Sequence, residues 1–191
     1  MKKIVWPLVM SMVVLVLSGC GGQPSKTGMG EAMPEYEDAL DVLNSITGVY
    51  KEDELFSLYG GDQENAVMDA PGKFDISKSE ELDLVLGLPE SQTANIEDAA
   101  SMVHMMNANT FTGAAYRLKD GTDLDTFVET VKSNILARQW ICGQPDTLVI
   151  IDAGGGYVVT AFGQAEIMEL FKTNALSALS GAKVVTETPV S

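Results

Sequence analysis

The sequence predicts an α+β fold in which helices cover an antiparallel sheet. From residue 110 onward its order reads β-α-β-β-α-β, that of a ferredoxin-like (split βαβ) sandwich. Three observations carry this. Two apolar runs, 146–152 and 157–162, flank Gly154-Gly155-Gly156, the pattern of a hairpin. On either side lie stretches with helical spacing, Leu124, Phe127, Val128, Val131 and Ile135 before it, and Ile167, Leu170, Phe171 and Ala178 after it. Strand-like runs at 110–118 and 182–188 close the two ends.

Taken in order, residues 35–47 set Tyr36, Leu40, Leu43 and Ile46 among acids, which predicts a first helix ending at Gly48. Residues 47–75 mix aromatics with acids around Gly60-Gly61 and predict irregular structure with a short strand at 66–68. Ser77-x-x-Glu80 has the form of a capping box ahead of Leu82, Leu84, Val85 and Leu86. That helix should stop at Gly87 and Pro89. Asn95 is placed to cap a further helix over 96–106, with Ile96, Ala99, Ala100, Val103 and Met106 near one face, closed by Asn107-Ala108-Asn109. After the 110–118 strand comes an Asp120-Gly121 turn, and Thr122-x-x-Asp125 caps the next helix. Residues 164–179 form the last helix. One detail strains the ferredoxin-like order. Its second strand lies at an edge, yet residues 148–151 (LVII) are apolar on both faces. Either N-terminal helices cover the second face or the strand order differs.

The chain starts with Lys2 and Lys3, an apolar run over 4–16, and small residues before Cys20, the parts of an export signal. The run is shorter than the ~20 residues needed to cross a bilayer as a helix, so the segment should be removed rather than kept as a span. Leu17-Ser18-Gly19-Cys20 resembles the lipobox of bacterial lipoproteins. The resemblance implies that Cys20 is acylated and becomes the first residue of a mature protein held on the outer face of the cell membrane. It also implies two or three acyl chains, a firm anchor where one chain would bind only marginally. Residues 20–34 then form the lipidated cysteine and a Gly- and Pro-rich tether. Residues 35–188 form one α+β domain, mainly helical or irregular over 35–107 and βαββαβ over 108–188.

With 12 basic and 27 acidic residues the net charge is −15, and loss of Lys2 and Lys3 takes it to −17. Such a body is repelled by phosphate backbones, which excludes nucleic acid as a partner, and by anionic lipid surfaces, so it should stand off from the membrane that anchors it. With Cys20 lipidated, Cys142 has no partner for an intramolecular disulfide.

Candidate chemistry is sparse. Cys142 lacks a C-x-x-C partner, and Trp140-Ile141-Cys142-Gly143 reads as a packed C-terminal turn of a helix with Arg138 one turn before. His104 lies among Met102, Met105 and Met106, a soft-metal composition. Helical spacing would put the methionines on one face and the histidine opposite, so no metal site is expected. Acids recur on Gly-containing loops, of which residues 60–65 would suit Ca²⁺ best, but none matches the twelve-residue calcium loop. There is no Gly-x-Ser-x-Gly, Walker loop or His-Glu-x-x-His pattern, and no cofactor is expected. Loops carrying aromatics and charges are common binding surfaces, which makes Tyr59, Asp62, Glu64, Asn65, Arg138, Trp140 and Cys142 the candidate contact residues.

Three stretches, 66–74 (AVMDAPGKF), 99–111 (AASMVHMMNANTF) and 134–143 (NILARQWICG), resemble a group of small lipoproteins from Gram-positive anaerobes. Some of these carry the label "bacteriocin transport accessory protein". The resemblance spans roughly residues 45 to 185, and it implies an extracytoplasmic lipoprotein without implying any chemistry. The expectation is thus a non-enzymatic, lipid-anchored binding or accessory lipoprotein with a membrane-protein or peptide partner. The alternatives are a transport-accessory or solute-binding lipoprotein and, third, a redox or hydrolytic enzyme working through Cys142 or carboxylates.

Overall fold

The first described helix, α1 (Ala39–Thr47), starts four residues later than the sequence predicts because Asp38 takes the cap: its Oδ1 accepts the Asp41 N–H at 2.9 Å. The computed structural model describes residues 36–190, so the expected signal segment, Cys20 and the tether lie outside the described residues. Helix α1 buries Ala39, Val42, Leu43 and Ile46 and ends at Gly48, as its spacing predicts.

The stretch expected to be largely irregular supplies three short strands, β1 (Leu58–Gly60), β2 (Val67–Met68) and β3 (Gly72–Lys73). The Ser77 capping box does not form. Ser77 Oγ donates to Asp75 Oδ1 at 2.7 Å, and Lys78 stands at the cap position of α2 (Ser79–Glu81) without a side-chain bond. The chain continues as a π-helical turn, Leu82–Leu86, and stops at Gly87 with φ +75. This turn buries Leu82 and Leu86 but leaves Leu84 75% exposed. A short α3 (Glu90–Thr93) follows.

Residues 96–106 are not a helix. They form β4 (Ile96–His104), an interior strand paired with β5 (Phe111–Leu118) on one side and with β1 and β3 on the other. Both faces of β4 are covered, so Ala99, Ala100, Ser101, Met102 and Val103 are all buried. The rest follows the predicted order: α4 (Leu124–Leu136), β6 (Thr147–Gly154), β7 (Tyr157–Gly163), α5 (Ala165–Ala178) and β8 (Lys183–Pro189). The cap of α4 is Asp123 rather than Thr122, its Oδ1 accepting Thr126 N at 2.8 Å.

The sheet has eight strands, all neighbours antiparallel, in the order β2-β1-β4-β5-β7-β6-β8 with β3 also on β4. The ferredoxin-like order is therefore not formed. There the last strand would lie beside β5. Here β4 fills that place and β8 pairs with β6. Crossovers between parallel strands are right-handed. The β5-α4-β6 and β7-α5-β8 units step across the sheet in the same direction from oppositely running strands, so right-handedness puts their helices on opposite faces. The packing agrees. Helix α5 and α1 share one core with Val149, Ile151 and Ala153, while α4 and Leu82, Leu86 and Leu88 share the other with Leu148 and Ile150. This is why residues 148–151 are apolar on both faces: β6 is interior and doubly covered, and the second of the two explanations left open by the sequence holds.

Candidate functional site

At the end of the sheet where β4 finishes and β5 begins, two of the predicted contact stretches meet. Tyr59 on β1 and Arg138 and Trp140 after α4 line one pocket of about 260 Å³ with Leu84, Val85 and Phe162 among its walls. A second hollow of about 430 Å³ shares Tyr59, Leu84 and Val85 and adds Gly61, Gln63, Ala66 and Glu81. The shared residues make the two one open groove.

Arg138 fixes its floor. Its Nη2 donates to the carbonyl oxygens of Asp83, at 3.0 Å, and Leu84. It thereby supplies donors to carbonyls at the end of the π turn, where Asp83 O also accepts Gly87 N–H at 2.9 Å. The guanidinium lies 5.3 Å from the Trp140 ring centre and 5.9 Å from that of Phe162, a cation–π arrangement. Burial lowers the Arg138 pKa from its ordinary value, with the nearby Asp83 charge acting in the opposite sense. The indole of Trp140 packs on Phe162 at 5.3 Å, and its Nε1 is buried with no hydrogen-bond partner among the described residues.

Two asparagines hold the rim. Asn109 Nδ2 donates to Ile141 O at 2.8 Å and Gly143 O at 2.7 Å, and Asn107 Nδ2 to Cys142 O at 3.2 Å. Sequence reasoning took Asn107-Ala108-Asn109 only as a helix stop and left Leu84, Ile141 and both asparagines off the candidate set. The one available signal was Leu84 itself, an apolar residue directly beside acids on a short segment.

The other candidates are placed elsewhere. Asp62 is only 2% exposed, and its carboxylate accepts from Lys78 Nζ at 2.6 Å, Asn65 Nδ2 at 3.0 Å, Glu64 N at 3.1 Å and Asp75 N at 3.2 Å. Lys78 also reaches Glu64 at 3.0 Å. Asp62, Glu64 and Asn65 therefore form a closed structural knot, and it is Gly61 and Gln63 of that loop that line the groove. The oxygens considered for Ca²⁺ are engaged by N–H donors. Among the described residues, no group of three or more His, Cys, Asp or Glu is arranged to hold a metal ion.

Cys142 is not packed into a helix end. Helix α4 finishes at Leu136, and Cys142 is exposed on the loop with φ +64, a left-handed conformation that side chains rarely adopt. The helical argument for His104 also lapses. On a strand, Met102 and His104 point to the same face. The His104 ring stacks on Phe56 at 5.2 Å, its Nδ1 accepts Met106 N at 3.2 Å, and Met106 is exposed beyond the strand.

The groove thus presents apolar and aromatic surface, rimmed by carboxylates and pinned by one guanidinium, and it holds no nucleophile hydrogen-bonded to a base. A concave, largely apolar surface with a few convergent polar groups is the usual form of a ligand-binding site. Comparison with known protein families, with curated proteins and with solved structures finds no match for this chain.

Proposed function

We propose that this protein is a non-enzymatic, extracytoplasmic binding or accessory lipoprotein, anchored through Cys20 and engaging its partner at the groove. The observation that carries the binding reading is the pairing of a concave aromatic floor with large apolar side chains left in solvent at its rim. Leu84 is 75% and Ile141 79% exposed beside Tyr59 and Trp140. Apolar exposure of this kind around a pocket marks an interaction site. The anchor reading is supported by the lipobox-like Leu17-Ser18-Gly19-Cys20 behind an apolar leader.

Photo-crosslinking in host cells tests both parts. A photoreactive amino acid placed at position 84 of the full chain is expected to give a discrete adduct on illumination. The same group at Asp120, on the far end of the domain, is expected to give none. Cys20→Ala is expected to release the protein from the membrane fraction. Equal adducts from positions 84 and 120 would remove the groove from the reading, and a Cys20→Ala protein that stays on the membrane would remove the anchor.

A further inference from the structure

The groove has a charge pattern that narrows its occupant. Glu80, Asp83 and Glu90 line a hollow with Leu84 and Arg138, and Glu81 lines the adjoining one with Tyr59 and Leu84. Six of the nine Lys and Arg residues between 36 and 190 form ion pairs with acids, yet none of the four groove carboxylates is among those acids. Glu81 accepts Gln63 N at 2.6 Å, and Asp83 accepts Asn134 Nδ2 at 2.8 Å, so neither is neutralised. Arg138 sets one charge against four, and its fork is partly engaged by two backbone carbonyls. Among the described residues, six of the nine exposed large apolar side chains, Val67, Met68, Leu84, Met105, Met106 and Ile141, sit on segments bonded to each other around this end of the sheet or lining its groove.

We infer that the groove takes a cationic amphipathic peptide segment, its apolar side chains on Tyr59, Leu84, Trp140 and Ile141 and its Lys or Arg side chains on Glu80, Glu81, Asp83 and Glu90. The inference rests on the groove reading above and adds the chemistry of the partner. An anionic segment would meet both these four charges and a chain of net charge −15. Complementary charge speeds encounter and rejects wrong partners, and apolar contact supplies the holding.

The chain has two tryptophans, Trp6 and Trp140, so Trp6→Phe leaves a single fluorophore in the groove wall. Full-length W6F protein in phosphatidylcholine nanodiscs is titrated with an end-blocked heptapeptide of alternating lysine and leucine. Two controls replace lysine by glutamate or leucine by serine. The Lys–Leu peptide is expected to shift Trp140 emission saturably. Both controls should bind at least tenfold more weakly. Leu84→Asp, a change at an exposed position, should weaken the Lys–Leu peptide at least tenfold, and Glu80→Gln with Glu81→Gln about fivefold. Equal or tighter binding of the Glu–Leu peptide would overturn the cationic inference while leaving the groove reading intact. An unshifted Trp140 with the Lys–Leu peptide, or binding unaffected by Leu84→Asp, would also overturn it. Crosslinking at position 84 would then still decide the broader reading.

Discussion

Asp62 shows what a single side chain can hold together. Its burial opposes ionisation, but hydrogen bonds from Lys78, Asn65 and the Asp75 and Glu64 N–H groups outweigh that and keep its carboxyl well below the ordinary value of 3.8. A folded value below the unfolded one means that the carboxylate contributes its full stability above the unfolded value. That contribution is lost as pH falls from there through the folded value. Asp62→Asn keeps the shape and removes the charge, leaving Lys78 with only the exposed Glu64. We expect it to lower the unfolding free energy by about 2–3 kcal/mol at pH 7 in urea titrations, near the low end for breaking a buried pair because Lys78 stays partly solvated. The gap to the parent protein should close as the pH drops below 3.8. The sequence marked this loop as rich in oxygen ligands. It could not show that the donors filling them are Asp75 N and Lys78, which lie 13 and 16 residues away and arrive only when the chain folds back.

Among the elements, β4 was the hardest to read and is the one on which β1, β3 and β5 all depend. Ile96, Ala99, Ala100 and Val103 recur at helical intervals, while alanine is depleted in strands. A strand buried on both faces needs no alternation, so period alone cannot tell it from a helix; pairing with β5 and β1 decides it. The same pairing forces two glycines together. A side-chain carbon on Gly60 would stand 2.0 Å from Gly72 N and 2.5 Å from Ser101 O, all of it backbone that cannot yield cheaply. Gly60→Ala should therefore cost at least about 2 kcal/mol in denaturant unfolding. Gly121→Ala meets no atom within 4 Å and serves as the comparison; its cost should stay near the smaller strain of its φ of +83. Helix α5, by contrast, was legible almost to its ends and α4 near its start, because each lies on the sheet surface and keeps a polar side; α4 stops at Leu136, short of the turn at residues 140–143 that the sequence suggested.

At the scale of the whole molecule, the doubly apolar run at 148–151 was the one local sign of global topology. It required β6 to be covered twice. Only the strand pairing shows how, with the second crossover stepping onward past β6 so that α5 lands opposite α4. Electrostatics also belongs to this scale. A net charge of −15 repels itself when compacted. Raising NaCl from 10 mM to 0.3 M should screen this repulsion and raise the thermal midpoint by about 2–4 °C, equivalent to roughly 1 kcal/mol in a domain of this size. A midpoint that falls with salt would mean that the paired lysines outweigh the unpaired acids. Tyr36 enters the fold against Tyr157, ring centres 5.6 Å apart, at the turn between β6 and β7. Phe162 in the groove wall is five residues further along the same strand, about 17 Å away at strand spacing. An anchor upstream of Tyr36, of the kind proposed above, would therefore tug on the pole opposite Trp140 and Leu84, and the groove could be filled without disturbing it.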